Sequence, residues 1–198
     1  IQSIIENNSS HDHPNDKTMS ITLSTIKEQT ERMNQIVQHQ LQRAVLGQSK
    51  SIGNKINILS ITERITDALK KVYADKDLSV SISIDSEQFF WGDERDVFEL
   101  LGNLIENAFK YSNKKIFLTS IDNTDAIIIS IDDDGKGIPE ERRERILDRG
   151  ARIDTITQGQ GIGLTVALDI ISSYNGSLDV GQSFLGGASF KITLPTSR

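Results

Sequence analysis

The chain has 198 residues, no cysteine and a formal charge of −6. Its length fits one domain with an appendage or two small domains. The acidic balance argues against broad nucleic-acid binding, which needs a basic face, and the absence of cysteine excludes disulfides and cysteine-bound zinc. The apolar runs are only a few residues long, so we expect any membrane attachment to come from segments absent from this chain.

The first part of the chain predicts a helical arm. Apolar residues between Leu23 and Leu46 recur at spacings of three and four and form a narrow stripe, which Gly47 ends. A narrow stripe is typical of coiled coils and four-helix bundles. We therefore predict that residues 1–48 are part of a dimerisation hairpin whose first helix is cut away. We expect this hairpin to pair with a second copy into a homodimer.

The rest of the chain, residues 51–198, predicts a second domain in which strands and helices are mixed. Ser60 and Glu63 form a capping box that favours a helix beginning at Ser60. Residues 89–91 (Phe-Phe-Trp) read as a short strand with buried aromatic rings. Further strands are predicted at 55–58, 78–84, 115–121, 126–132, 177–180 and 188–194, with helices from 93 or 94 to 111 and over 162–174, and a charged helical stretch within 139–157. This order indicates an α+β two-layer sandwich, with a sheet on one side and about three helices on the other.

Carboxylates follow directly after the apolar strand 126–131. A charged cluster at the end of a buried strand is costly in a core and useful in a site. Asp133 can accept a hydrogen bond from the exocyclic amine of adenine, and Gly135 and Gly137 allow the backbone to approach a flat base. We interpret Asp132 and Asp134 as solvated neighbours.

A second glycine set, residues 159–164 (Gly-Gln-Gly-Ile-Gly-Leu), opens an apolar helix. Gly161 and Gly163 would expose backbone amides to phosphate groups at the positive end of that helix. The set is not a dinucleotide-binding fingerprint, because no strand precedes it, and not a phosphate loop, because no Gly-Lys-Ser/Thr follows.

Two asparagines, Asn103 and Asn107, are four residues apart on one predicted helix and project on the same side. Asparagine is a poor residue for a helix interior, so the pair needs a reason. Either the amides make helix-packing hydrogen bonds, or Asn107 gives an oxygen ligand to Mg²⁺. Arg152, Lys110 or Arg149 can offset phosphate charge.

These three motifs together resemble the N, G1 and G2 boxes of GHKL-family sensor histidine kinases, and the resemblance covers residues 20–198. It implies the histidine-kinase ATPase fold with ATP and Mg²⁺ as cofactors. Asn107 would hold Mg²⁺, Asp133 would read adenine, and residues 138–161 would form a mobile lid over the phosphates. The resemblance also implies nucleotide contacts from several residues, namely Lys110, Tyr111, Gly135, Gly137, Ile138, Arg152, Gln160, Gly161, Ile162, Gly163 and Leu164.

The same resemblance implies catalytic roles for Asn103 and Lys110 and a second Mg²⁺ ligand in Gln160. It further implies a cytoplasmic portion of an inner-membrane sensor protein, which transfers the γ-phosphoryl group of ATP to a histidine and on to an aspartate of a response regulator. Two departures stand out. Leu147 occupies a lid position where the family often has phenylalanine, and residues 11–14 (His-Asp-His-Pro) lack the spacing of a phosphoacceptor box. We therefore expect the acceptor histidine upstream of Ile1.

Two other functions stay open. A GHKL ATPase of the gyrase, chaperone or mismatch-repair type would carry a glutamate, as general base for water, where this chain has Asn103. A nucleotide-binding regulator or a serine kinase is the other alternative.

Overall fold

The computed structural model describes residues 54–147 and 161–196. The chain divides into two compact units, Ile1–Ser49 and Lys50–Arg198, and all the described residues belong to the second. The predicted helical arm and its dimerisation role lie outside the described residues.

The described residues form seven strands and four α-helices. In chain order they are β1 Asn54–Asn57, α1 Ile58–Val72, a short 3₁₀ helix Ala74–Lys76, β2 Ser79–Ser83, β3 Phe89–Gly92, α2 Glu94–Tyr111, β4 Lys115–Asp122, β5 Ala126–Asp133, α3 Glu140–Leu147, α4 Gly161–Ser173, β6 Ser177–Gln182 and β7 Ala188–Pro195. Five strands form one sheet in the order β2-β4-β5-β7-β6, in which only β2 and β4 run parallel. Strands β1 and β3 pair separately as an antiparallel ribbon. The predicted α+β architecture is confirmed.

The core lies between the helices and one face of the sheet. The apolar side of α2, from Val97 to Phe109, is fully buried against inward-facing residues such as Ile129 and Ile131 of β5. Because side chains alternate along a strand, the intervening residues point to the opposite side. We call that side the outer face; it carries Phe117 of β4, Asp132 of β5 and Ser189 of β7, which are paired across the three strands.

Helix α1 begins earlier than its capping box predicts. Asn57, not Ser60, is the N-cap, and its side-chain oxygen accepts a 2.8 Å hydrogen bond from the backbone amide of Ser60. The prediction of a Ser60 cap is wrong because Ile58 must be buried with Ile61 and Ile65, and this stripe starts two residues before Ser60. Two cap-forming residues compete here, and burial decides between them.

The short aromatic strand β3 is buried on one side only. Phe90 is part of the core, whereas Trp91 is 46% exposed, so the prediction that these aromatic rings are all buried is wrong for Trp91. Strand alternation explains the difference, since Phe90 and Trp91 are consecutive and point to opposite sides of the ribbon.

Candidate functional site

The carboxylate of Asp133, at the end of β5, is only 3% exposed. Its Oδ1 atom accepts hydrogen bonds from the backbone amides of Gly135, at 2.7 Å, and Ala188, at 3.1 Å. Burial raises the pKa of this carboxyl above its ordinary value of 3.8; the two amides offset part of that effect, and the charges of Asp134 and Asp132 add to it. No described residue donates to Oδ2, so the described part of the protein fixes one oxygen and leaves the other without a donor.

The second donor to Oδ1, the amide of Ala188, follows directly after the turn between β6 and β7. The backbone amide of Gly187 also donates to the carbonyl of Asp133, at 3.1 Å, so that β7 holds both the backbone and the side chain of this residue. A Cβ on Gly187 would overlap Asp133 Oδ1. The sequence motifs assign no role to Gly187 or Ala188. Their only local signal is a Gly-Gly pair before a strand, which reads as an ordinary turn.

Gly135 lies where the strand end meets the end of α2. A Cβ at this position would overlap the carbonyl oxygen of Tyr111 and lie 2.9 Å from Asp133 Oδ1, so only glycine fits. Gly137 adopts a left-handed conformation with φ of 69°. The close approach that requires glycine here is to the Tyr111 carbonyl and the Asp133 carboxylate, whereas the predicted approach to a flat base stays a prediction.

Of the two carboxylates beside Asp133, Asp132 is buried and not solvated as predicted from sequence, whereas Asp134 is partly exposed. Asp132 is 7% exposed and lies on the outer face of the sheet. Asp134 accepts hydrogen bonds from the backbone amides of Asn113 and Lys114, at 2.8 and 2.9 Å. Burial raises its pKa, but the surrounding backbone amides outweigh that effect and hold the pKa below the ordinary value. Local sequence could not show these non-local partners.

The two asparagines of α2 are both half-buried but have different surroundings. Asn103 donates from Nδ2 to the carbonyl of Glu99, at 2.9 Å, and its Oδ1 faces Gly163 of α4, where a Cβ would lie only 2.7 Å away. Asn107 has no hydrogen-bond partner among the described residues. Thus Asn103 takes the helix-packing role, and Asn107 is the one of the two whose amide is unpaired within the described part of the chain; the catalytic assignment of Asn103 and the Mg²⁺ assignment of Asn107 stay predictions.

Lys110 and Tyr111, at the end of α2, are both exposed, with the Lys110 ammonium 5.5 Å from the centre of the Tyr111 ring. Sequence reasoning missed Lys76, whose ammonium donates to the carbonyls of Phe109, at 2.9 Å, and Lys110, at 2.6 Å. A cation at the C-terminus of a helix is favourable for its dipole. Lys76 therefore fixes the turn of α2 that presents Tyr111 to Gly135.

The predicted glycine set does open a helix, because α4 begins at Gly161. Gly163 and Leu164 are half-buried in its first turn. Ile138, between β5 and α3, is half-buried against the core, and its carbonyl accepts a 2.9 Å hydrogen bond from Arg143. Leu147, the residue that replaces the family's phenylalanine, also packs against the core.

Several predicted site residues lie outside the described residues. These are Arg149, Arg152 and Gln160, in a stretch that spans 148–160, and the side chain of Ile162. Their assignment to the phosphates, to Mg²⁺ and to a lid stays a prediction. Within the described part of the chain, no helix is both long and apolar enough to span a membrane.

Comparison with known proteins agrees with this geometry. Residues 92–198 match the sequence profile of the histidine kinase-, DNA gyrase B-, and HSP90-like ATPases. The match covers more than half of the 198 residues and includes every motif of the candidate site. The chain belongs to this family, and the resemblance to sensor kinases inferred from its motifs is confirmed.

Among individual proteins, the chain is similar to the two-component sensor PhoQ of Pseudomonas aeruginosa, at 43% identity over 169 residues, which is 85% of this chain and 38% of that protein. It is similar to the sensor protein PhoQ of Escherichia coli K12, at 36% identity over 166 residues, 83% of this chain and 34% of that protein. The chain thus spans little more than a third of these relatives. The catalytic domain of histidine kinase ThkA shares the fold, with a TM-score of 0.65 at 23% identity over 73% of this chain and 95% of that one.

Proposed function

We propose that this chain is the ATP-binding catalytic part of a sensor histidine kinase, which transfers the γ-phosphoryl group of ATP to a histidine and then to an aspartate of a response regulator. One observation carries the proposal. Two backbone amides fix one oxygen of Asp133, and no described residue donates a hydrogen bond to the other oxygen. This arrangement suits the exocyclic amine of adenine, which needs an acceptor in a fixed position.

A divalent cation fits the remaining groups. The half-buried Asn107 amide has no hydrogen-bond partner among the described residues, so its oxygen is available to Mg²⁺. Within residues 54–147 and 161–196, no group of three or more histidine, cysteine, aspartate or glutamate side chains could hold a metal ion. Mg²⁺ would therefore take most of its ligands from phosphates and water, as it commonly does in phosphoryl-transfer sites, with Gln160 as the other protein ligand. Bound there, Mg²⁺ would neutralise phosphate charge.

The phosphate end of the nucleotide would lie against the N-terminus of α4. Gly161, Ile162, Gly163 and Leu164 form its first turn, whose backbone amides suit an anion. Lys110, Arg152 and the lid residues would complete the charge neutralisation that phosphoryl transfer requires.

Asn103 supports a kinase over an ATPase. A carboxamide is a poor general base for water, and the Asn103 Nδ2 atom is already held by the Glu99 carbonyl, at 2.9 Å. Because the family also includes ATPases, hydrolysis measurement separates the two functions. We expect slow release of free phosphate from ATP; rapid release, abolished in Asn107→Ala, would favour the ATPase.

Nucleotide binding is the first test. Calorimetric titration with a non-hydrolysable ATP analogue should show Mg²⁺-dependent binding, which Asn107→Ala and Asp133→Asn weaken. Asn123→Ala and Asp122→Asn, at the exposed far end of β4, are matched controls and should bind normally. Undiminished binding in both site variants would show that the site is misplaced.

The transfer reaction needs a second measurement. Incubation with γ-labelled ATP and a separate histidine-containing dimerisation domain should give a label that is stable to alkali and labile to acid, as expected of phosphohistidine. A label stable to acid would instead indicate a serine kinase. Homodimerisation through residues 1–48, a response-regulator partner and location as the cytoplasmic part of a membrane sensor belong to the same proposal.

A further inference from the structure

The outer face of the sheet carries a carboxylate that the nucleotide site does not use. Asp132 is 7% exposed, yet it has no hydrogen-bond or ion-pair partner among the described residues. Neither of its oxygens is among the enclosed side-chain atoms that lack a hydrogen-bond partner, so the carboxylate stays within reach of solvent. A carboxylate that the described residues leave unpaired but within reach of solvent is available to a cation from another molecule.

Two phenylalanine rings lie near this carboxylate. Phe117 on β4 and Ser189 on β7 are its neighbours across the sheet. Phe184, in the turn after β6, meets Phe117 edge to face, with ring centres 5.6 Å apart and an interplanar angle of 89°. Strands β7 and β5 lie between β6 and β4, so Phe184 reaches back across the width of two strands to meet Phe117, the neighbour of Asp132 on β4.

The turn that presents Phe184 is held by hydrogen bonds. The backbone amide of Ser183 donates to the Gly187 carbonyl, at 2.9 Å, and that of Gly186 to the Ser183 carbonyl, also at 2.9 Å. The amide of Leu185 donates to the side-chain oxygen of Ser183, at 3.0 Å. Phe184 is nevertheless 72% exposed. A large apolar side chain, exposed on a well-bonded turn beside an unpaired carboxylate, is available for contact with another molecule.

We propose that Asp132, Phe117 and Phe184 form a binding site for an arginine side chain of a partner protein, on the face of the sheet opposite the nucleotide. A cation can pair with the carboxylate, and phenyl rings attract a cation over their faces. Arginine suits the site better than lysine because its planar guanidinium stacks on a ring while its N–H groups bond to a carboxylate. The site does not depend on the nucleotide being ATP.

Nuclear magnetic resonance titration of the isotope-labelled chain with arginine amide, which has no carboxylate of its own, tests the proposal. We expect saturable shifts of the Asp132 carboxyl carbon and of both rings, and weaker binding of lysine amide. Phe184→Ala should lower the affinity about 2-fold to 30-fold, the range of a cation–ring contact. Asp132→Asn should lower it about 10-fold or more, the loss of a hydrogen bond to a charged group.

Matched controls make the outcome decisive. Phe98→Ala removes another exposed ring, 40% accessible, and Asp122→Asn removes an exposed carboxylate at the far end of β4; both variants should bind arginine amide normally. Phe184 is exposed, so its variant tests the site even if Asp132→Asn fails to fold. Absence of saturable shifts, or equal binding by all variants, would show that Asp132 is satisfied by water alone. Weaker binding of a blocked Gly-Arg-Gly peptide than of arginine amide would contradict the proposal that the arginine belongs to a partner protein.

Discussion

Replacing Asp133 by asparagine should separate nucleotide recognition from stability. The Oδ1 atom of Asp133 is held by two backbone amides, which require an acceptor, so an asparagine at this position must turn its carbonyl oxygen toward them. Its NH₂ group is then forced into the position of Oδ2. A ligand amine would meet a donor there instead of an acceptor.

The size of the effect follows from the lost charged hydrogen bond. Such a bond contributes about 1.5–3 kcal/mol, which corresponds to a loss of affinity for an ATP analogue of about 10-fold to 160-fold. Inosine triphosphate carries a carbonyl where ATP carries the amine, so Asp133→Asn should bind the inosine nucleotide better than it binds ATP. Calorimetry with both nucleotides measures this inversion.

Stability should change in the opposite direction. Because burial raises the pKa of Asp133, the folded state holds its proton more tightly than the unfolded chain, and the ionised form destabilises the fold. Asp133→Asn should therefore be at least as stable as the parent chain at neutral pH. The gain in the free energy of unfolding should be about 1.4 kcal/mol for each tenfold difference between the acid dissociation constants of Asp133 in the folded and unfolded states. The difference should vanish as the pH falls below the ordinary value of 3.8, where both states are protonated.

Asp133→Ala is the contrasting variant. It removes the acceptor of two backbone amides, each of which costs about 1–3 kcal/mol when left unpaired in the interior. Urea denaturation of the two variants tests the assignment. The reasoning fails if asparagine is more destabilising than alanine, or if Asp133→Asn binds the ATP analogue within twofold of the parent chain.

Three further predictions concern the stability of the folded chain. Gly163→Ala should destabilise the fold by about 1–3 kcal/mol, because the new Cβ would lie 2.7 Å from Asn103 Oδ1. In a double-mutant cycle, Asn103→Ala should relieve part of that cost, and strictly additive effects of the two substitutions would contradict the contact. Asn57→Ala should cost about 1 kcal/mol through loss of the α1 cap, whereas Ser60→Ala should have little effect in the same denaturation assay. Burial raises the pKa of Tyr174 to about 12, so the unfolded chain ionises first and stability should fall between pH 10 and about 12. Tyr174→Phe should make this decline smaller, and the part that remains includes Tyr73, whose pKa burial also raises.

Local patterns predicted most of the fold because each element carries its own period. The alternation of β5 and the wide apolar side of α2 are readable within a few residues, and both elements occur where they were expected. The start of α1 was not predicted, because two candidate caps, Asn57 and Ser60, lie within one turn and only the burial of Ile58 decides between them.

The candidate site was predicted in part for the same reason. The glycine and asparagine motifs are local, and they led to Asp133, Gly135 and Asn107. The donor from Ala188 comes from a strand 55 residues further along the chain, and no local pattern indicates it. The helix-packing role of Asn103 likewise depends on contact with Gly163, which only the fold brings near.

Three identical side chains in a row have three separate environments at the end of β5. Asp133 faces the helices, Asp132 faces the outer side, and Asp134 leaves the strand to hold the loop after α2. A slip of β5 by one residue against β4 and β7 would move Asp132 into the helical layer and expose Ile131, exchanging both surfaces at once. The aspartates therefore cannot replace one another, and insertion or deletion of one residue in this strand should be far more damaging than any conservative substitution within it.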